Sequence, residues 1–228
     1  MLSPGMDAFD WIELTLLGLF LTIVFLKAMR IRAGHGNNPI VIGLGKGSLL
    51  GLMEVSFFVC TNVWAGLVVL HSLGIANTDL PWLYQFSWAT PIWVRILGLL
   101  LSVFAFVIFI MALIALGSSW RLGIDDQAPG ELITDGIYAH TRNPIYLFFN
   151  LWFLGTFLIK GSLVFLIVWL FAVANLHFQI LQEEAFLRTV HGSSYEDYYS
   201  RTPRYCPLSR RLKTETQQSH LTMEASNE

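Results

Sequence analysis

Apolar residues run along this chain in long unbroken stretches, where a water-soluble helix would show the three-to-four-residue clusters that bury a single face. Trp11 to Lys27, Leu49 to Leu73 and Ile92 to Leu116 are each near the length of about 20 mostly apolar residues that crosses a bilayer as a helix. Two further runs, Pro144 to Ile159 and Ser162 to Ile180, are separated only by Lys160 and Gly161. As one straight helix these 37 residues would reach roughly 55 Å at about 1.5 Å per residue, against a hydrocarbon core of about 30 Å. The pattern therefore predicts a tight helical hairpin. With it comes an all-α, polytopic membrane protein of about five spans.

Composition agrees with that reading. Of 228 residues, 54% are hydrophobic and 13% charged, against about a quarter charged in a soluble domain. The net charge of -2 hides an asymmetry along the chain. With five spans, Lys27, Arg30, Arg32, Lys46, Arg121, Arg142, Arg188, Arg201, Arg204, Arg210, Arg211 and Lys213 fall on one side, and Arg95 and Lys160 on the other. Short connections rich in Lys and Arg stay in the cytoplasm. The N-terminus is thus expected outside and the C-terminus inside. Lys27, Arg30 and Arg32 follow the first apolar run instead of preceding it, which marks a retained span and not a cleavable leader. Cys60 and Cys206 are far apart and offer neither a disulfide framework nor metal-ligand spacing.

The chain divides on this pattern into a three-span region, 1–116, a region rich in polar connections, 117–207, and a polar tail, 208–228, with too little to bury to fold by itself. Most of the chemistry-bearing residues lie in two segments, Gly117 to Asn143 and Gln179 to Pro207, which flank the hairpin. Because the hairpin turns on the far side of the membrane, both segments must meet at its cytoplasmic end. That meeting predicts a site containing Tyr138, Arg142, Asn143, Tyr146, Glu183 and Glu184.

Those residue types suit a charged, ribose-bearing cofactor. Carboxylates accept from ribose hydroxyls or an amino group, an arginine pairs with a carboxylate through two parallel hydrogen bonds, and tyrosine rings attract a cation. Taken singly, Arg142 also fits an anchor at the lipid headgroups, and Glu183 and Glu184 a helix end. Asn175, Gln179 and Glu183 repeat every four residues and share one helical face. A polar face at membrane depth looks toward a cavity or another helix, so Asn175 and Gln179 are the candidate acceptor-binding residues. Glu54 and Asn62 in the second span are lesser candidates, explained as well by hydrogen bonding between helices.

In order along the chain come Gly136-Ile-Tyr-Ala-His-Thr-Arg-Asn-Pro-Ile-Tyr146, a hairpin-length apolar stretch, Glu183-Glu184-Ala-Phe-Leu and His191-Gly-Ser-Ser-Tyr-Glu-Asp-Tyr198. This order resembles the isoprenylcysteine carboxyl methyltransferase and phospholipid methyltransferase superfamily over about residues 117 to 207. The resemblance implies S-adenosylmethionine as cofactor, in a pocket formed by Gly130, Glu131, Leu132 and Ile133, Tyr138, the Asn143-Pro144-Ile145-Tyr146 turn and Glu183, supported by Glu184, Arg142 and Arg188. It implies carboxylate O-methylation of a small or lipophilic acceptor reached from the bilayer, with phospholipid amine or thiol methylation as alternatives. Neither metal nor nucleic acid is expected as a partner.

Two departures stand out. Asn143 occupies the place of a family histidine, and Gln179 that of an arginine which prenylcysteine-methylating members use for the substrate carboxylate. No catalytic residue is assigned, Arg142 and Glu183 being the candidates. A carboxylate acceptor needs no general base, since positioning supplies most of the catalysis. For an amine or thiol, His177 and His140 are the nearby histidines, and His177 reads first as a structural residue. The region His191 to Arg201 reads as an amphipathic helix on the cytoplasmic surface that lids the cofactor.

Other signals weigh less. Gly43-Leu-Gly-Lys-Gly47 lacks the strand before and helix-sheet unit around it that a nucleotide loop requires. Asp125 and Asp126 lack a third ligand for a cation. Trp11, Trp82, Trp88, Trp93 and Trp120 lie near span ends, as interfacial anchors do. Two other classes remain: a sterol-type membrane reductase using NADPH, which would want extra basic residues in the pocket, and a non-catalytic membrane protein of the same fold.

Overall fold

The computed structural model describes residues 6–35, 42–43, 48–75, 90–120 and 130–205. Among them lie six α-helices: α1 (Ala8–His35), α2 (Ser48–Ser72), α3 (Ile92–Leu116), α4 (Pro144–Lys160), α5 (Leu163–His191) and α6 (Ser193–Arg201). Short 3-10 turns at Gly117–Ser119 and Gly136–Ala139 border the cavity described below. The segment Asp125-Asp126, Trp82 and Trp88, the Leu44 to Gly47 part of the glycine-rich stretch, and the polar tail lie outside the described residues.

Four of these helices, α1, α2, α3 and α5, are long and apolar enough to cross a membrane. The 17-residue α4 is the shorter fifth, at the lower limit of about 17 residues for a span. Their outward faces are apolar: Ile114 is 74% exposed and Trp93 67%, and Leu100, Phe104 and Leu52 are similarly open. Faces of that kind belong in lipid. The chain is an integral, multi-pass membrane protein.

The hairpin forms where expected, and its turn has a local cause. Gly161 ends α4 in the left-handed conformation, φ 58°, and its amide closes the last turn on the Phe157 carbonyl at 2.8 Å, a geometry that only glycine adopts without strain. One boundary differs from the sequence reading. Apolar character stops near Ile180, but α5 continues as a helix to His191, because Gln-Glu-Glu-Ala-Phe-Leu-Arg is a strong helix-forming run whatever its polarity. Glu183 and Glu184 therefore project from a rigid helix.

Among the described helices, packing between α3 and α4 is the most extensive. Gly98, Ser102, Ala105 and Gly155 let the two backbones touch, and a Cβ on Gly98 would meet the Gly155 carbonyl oxygen at 2.6 Å. Small residues do this work in membranes, where lipid tails are as apolar as leucine and association depends on close contact. On the other side of α4 an aromatic core joins all five long helices, with Trp64 stacked on Phe153 at 4.5 Å and Phe109 on Phe148 at 4.5 Å. Phe20 contacts Phe109, Phe148, Phe149 and Trp152.

At the hairpin end of the bundle sits a closed ionic cluster. Lys160 Nζ lies 2.5 Å from Asp10 Oδ1, 2.8 Å from Glu13 Oε2 and 3.1 Å from Ser72 Oγ. It joins α4 to α1 and α2. Nearby, Arg95 pairs with Asp7 and lies over the Phe9 ring.

Candidate functional site

The two polar segments meet at the opposite end of α4. Residues 141–143 run beside 202–204: Arg142 N donates to the Pro203 carbonyl at 3.0 Å, Thr141 Oγ1 to the Arg204 carbonyl at 3.1 Å and Asn143 Nδ2 to the same carbonyl at 3.2 Å. Glu184 ties this pairing to α5. Its carboxylate receives Arg142 through Nε at 3.1 Å and Nη2 at 2.8 Å, and Arg204 through Nε at 3.1 Å and Nη2 at 2.7 Å. Arg142 Nη1 donates to the carbonyls of Tyr199, 2.9 Å, and Thr202, 2.6 Å. Two guanidinia on one buried carboxylate, with backbone acceptors for the remainder, form a satisfied brace.

Above the brace opens a cavity of about 300 Å³, at the small end of the range of about 300 to 1,000 Å³ typical of ligand sites. Its lining includes Gly130, Glu131, Leu132, Ile133, Tyr138, Arg142, Asn143, Pro144, Ile145, Tyr146, Gln179, Glu183 and Glu184. Most of the polar wall is therefore made of residues singled out in the sequence. Tyr146 donates its hydroxyl to the Glu183 carboxylate, and Tyr198 donates to the Tyr138 carbonyl at 2.8 Å. Burial, with the Glu183 carboxylate alongside, pushes the Tyr138 phenol well above its ordinary range, and burial does the same for Tyr195 and Tyr198. All three remain neutral hydroxyls at neutral pH. The short α6 contributes Tyr195 and Tyr198 to this wall.

Several residues fall elsewhere than the sequence suggested. Asn175 is buried but does not line the cavity; it bonds to Ser56 of α2 at 2.6 Å and to Gln179 at 2.6 Å. Arg188 lies outside the lining, paired with Glu196 at 2.9 Å and stacked on the Tyr199 ring, against which Arg142 also lies. His177 bonds to the Tyr205 hydroxyl at 2.6 Å and His140 is exposed, so neither reaches the cavity. Glu54 accepts from the Gly43 amide at 2.8 Å, and Asn62 bonds back to its own helix at Phe58. Trp120 is a cavity wall residue, 2% exposed, instead of an interfacial anchor.

The apolar wall was not anticipated. Phe20 and Val24 of α1, Phe57 of α2, Phe109 and Leu116 of α3, Phe149 of α4 and Leu176 of α5 close the membrane side of the cavity. The first two spans, which lie outside the stretch of family resemblance, supply part of the cavity lining. His191 also lines it, within the motif that was noted but unassigned. A phenylalanine facing a cavity and one facing lipid look alike in a sequence, and only the helix packing separates them.

Known proteins with related chains can be compared with this geometry. The phospholipid methyltransferase family profile matches residues 93–194. The protein-S-isoprenylcysteine O-methyltransferase of Schizosaccharomyces pombe is 40% identical over 82 residues, 34% of this chain and 33% of that protein. The mouse protein of the same name is 30% identical over 132 residues, 54% of this chain and 44% of its own length. The chain thus spans less than half the length of these relatives. In fold it is similar to the eukaryotic intramembrane Ras methyltransferase, isoprenylcysteine carboxyl methyltransferase, with a TM-score of 0.56 and 19% identity over 91% of this chain and 69% of that one. By profile and sequence over part of its length, and by fold over most of it, the chain is similar to the isoprenylcysteine carboxyl methyltransferases and phospholipid methyltransferases.

Proposed function

We propose that the protein is a membrane methyltransferase that transfers a methyl group from S-adenosylmethionine to a lipophilic or small acceptor entering from the bilayer. The observation that carries this reading is the composition of one cavity: a polar half built from residues 130–146 and 183–198, and an apolar half built from α1 to α5. In this reading 117–207 is the catalytic region and 1–116 completes the membrane side of the chamber.

The residues present fit the donor. Glu183 offers a carboxylate to ribose hydroxyls, an amino group or a sulfonium, and the rings of Tyr138 and Tyr146 give that cation faces worth about 0.5 to 2 kcal/mol. The first turn of α4, with Pro144 at its start, presents amides that suit a carboxylate. When bound, the donor supplies a methyl carbon already activated by its sulfonium sulfur. The chain has then to hold, align and dehydrate the reactants, and an in-line geometry lowers the barrier largely through orientation. Arg142 acts in this reading as a brace, with its guanidinium engaged by Glu184 and two carbonyls. The relatives' names make carboxylate O-methylation the default acceptor chemistry, with amine or thiol methylation on the same scaffold.

The distribution of basic residues supports a cytoplasmic C-terminus and cavity in this reading, with the N-terminus and the Lys160 cluster outside. Binding of radiolabelled S-adenosylmethionine to the purified protein tests the whole reading. The expected result is saturable binding that Glu183→Ala reduces at least tenfold; a wild-type protein that binds none refutes it.

A further inference from the structure

Gln179 is the point where the polar face of α5 reaches the cavity, and the hydrogen bonds behind it fix which way its amide faces. Ser56 donates its one hydroxyl hydrogen to the Met53 carbonyl at 2.9 Å. Its oxygen must therefore accept from Asn175, whose Nδ2 lies 2.6 Å away. That turns Asn175 Oδ1 toward Gln179, which donates to it through Nε2 at 2.6 Å and to the Met53 carbonyl at 3.4 Å. Both hydrogens of Gln179 Nε2 are engaged, and flipping either amide would set nitrogen against nitrogen or leave Ser56 facing an oxygen with no hydrogen to share. Among the described residues nothing donates to Gln179 Oε1, and Gln179 lines the cavity.

The charges around this carbonyl point the same way. One turn further along α5 is Glu183, and the lining also contains Glu131 and Glu184. The lining arginine, Arg142, directs its guanidinium to Glu184 and to backbone carbonyls. The lining histidine, His191, stands twelve residues from Gln179, about 18 Å along the helix. Among the described residues, an acceptor group beside Gln179 thus meets a carbonyl oxygen and a nearby carboxylate, with no cation positioned to pair with it. A carboxylate placed there would face oxygen with oxygen and lose its hydration without compensation. A group carrying hydrogen would complete the relay.

We propose that Gln179 is the acceptor-specificity residue and that its carbonyl oxygen selects a methyl acceptor whose reacting atom carries hydrogen, an amine or a thiol, over a carboxylate. This rests on the methyltransferase reading and narrows its substrate class. The neutral acceptor's lone pair forms the new bond to the methyl carbon while the sulfur–methyl bond breaks and leaves its electron pair on sulfur. The acceptor atom, positively charged after that transfer, returns to neutrality by releasing its hydrogen as a proton to water. With that hydrogen held by Gln179, the lone pair is turned away from the relay.

The test uses three compounds sharing one prenyl tail and ending in an amine, a thiol or a carboxylate, with the full chain in lipid nanodiscs. Their dissociation constants are measured without methyl donor, and methyl transfer is measured with it. The amine or the thiol should bind at least tenfold tighter than the carboxylate, and which of the two is methylated faster identifies the acceptor atom. Gln179→Arg should reverse the order by at least tenfold. Asn175→Leu, which releases the relay without touching the cavity, should bring the ratio toward one while leaving donor binding intact. A wild-type preference for the carboxylate, or a ratio that neither substitution moves, overturns the proposal. Loss of donor binding by the wild type would instead refute the methyltransferase reading, since the acceptor order is read without donor.

Discussion

At the end of α4 that opens onto the cavity, one carboxylate, Glu184, holds two guanidinia; at the other end one ammonium, Lys160, holds two carboxylates, Asp10 and Glu13. The two clusters are about 26 Å apart by the rise of 17 helical residues. Both satisfy buried charge with close partners, but they join different things. The Glu184 brace links two loops to a helix and forms part of the cavity lining, where a bound ligand would touch it. The Lys160 cluster joins α1 and α2 to the hairpin tip and contributes nothing to the cavity lining. Similar chemistry serves assembly at one end and a site at the other, and position relative to the cavity decides which.

The sharpest way to break the comparison is Lys160→Met. It keeps the packing volume but leaves Asp10 and Glu13 buried beside each other without a cation, which costs about 3–5 kcal/mol. Unfolding in nanodiscs should show that loss, while S-adenosylmethionine binds the folded fraction with unchanged affinity. A donor affinity that falls in step with stability would mean that the two ends are coupled through α1, whose Phe20 and Val24 wall the cavity.

Glu184→Gln is the matching change at the other end. Arg142 and Arg204 would then face a neutral amide. The stability loss should be smaller, about 2–3 kcal/mol, because the Arg204 side chain is 27% exposed and water screens it. The effect on the site should be larger, with donor affinity reduced at least tenfold as residues 141–143 come away from 202–204. Equal losses of stability and affinity in the two variants would erase the distinction.

How far the sequence reveals each end depends on the kind of signal. Long apolar runs fix the spans, and Lys160-Gly161 fixes the turn, because a bilayer allows few alternatives to a helix. The polar wall was legible because charged and tyrosine residues are scarce in such a chain, and the hairpin forces the two segments that hold them together. Two things were not legible. Asp10 and Glu13 sit in the first span, 147 or more residues from Lys160, and no local pattern pairs them. Asn175 shares a face with Gln179, yet α2 packs over it while Gln179 reaches the cavity, a difference of one helical turn set by a neighbour. Trp120 shows the same limit: a tryptophan near a span end reads as an anchor until the 3-10 turn beside it carries the ring inward.

Gly155→Ala probes what lies between the two ends. The added methyl group would run into Ser102 and the Gly98 carbonyl oxygen, at 2.6 Å for the latter, and the α3–α4 contact would have to open. A cost of about 1–2 kcal/mol is expected from forced separation of packed elements. Because α3 supplies Phe109 and Leu116 to the membrane side of the cavity and none of the charged groups, acceptor affinity should fall more than donor affinity. The reverse order would place the donor against α3.

Tyr198→Phe should have the smallest effect and is the most specific to the cavity end. The substitution removes one hydroxyl and leaves the ring in its buried place. What it breaks is the 2.8 Å bond to the Tyr138 carbonyl, the link by which α6 holds the 3-10 turn at Gly136–Ala139. A neutral hydrogen bond is worth about 1 kcal/mol net, so the turn should be held about fivefold less firmly and the donor dissociation constant should rise by about that factor. Global stability should stay within about 1 kcal/mol of wild type. If α6 covers the donor, hydrogen exchange at the amides of residues 136–140 should accelerate in the variant and return to the wild-type rate when S-adenosylmethionine is saturating. Acceleration that donor leaves unchanged would make α6 a structural cap, and the working part of the cavity would then end at Glu183.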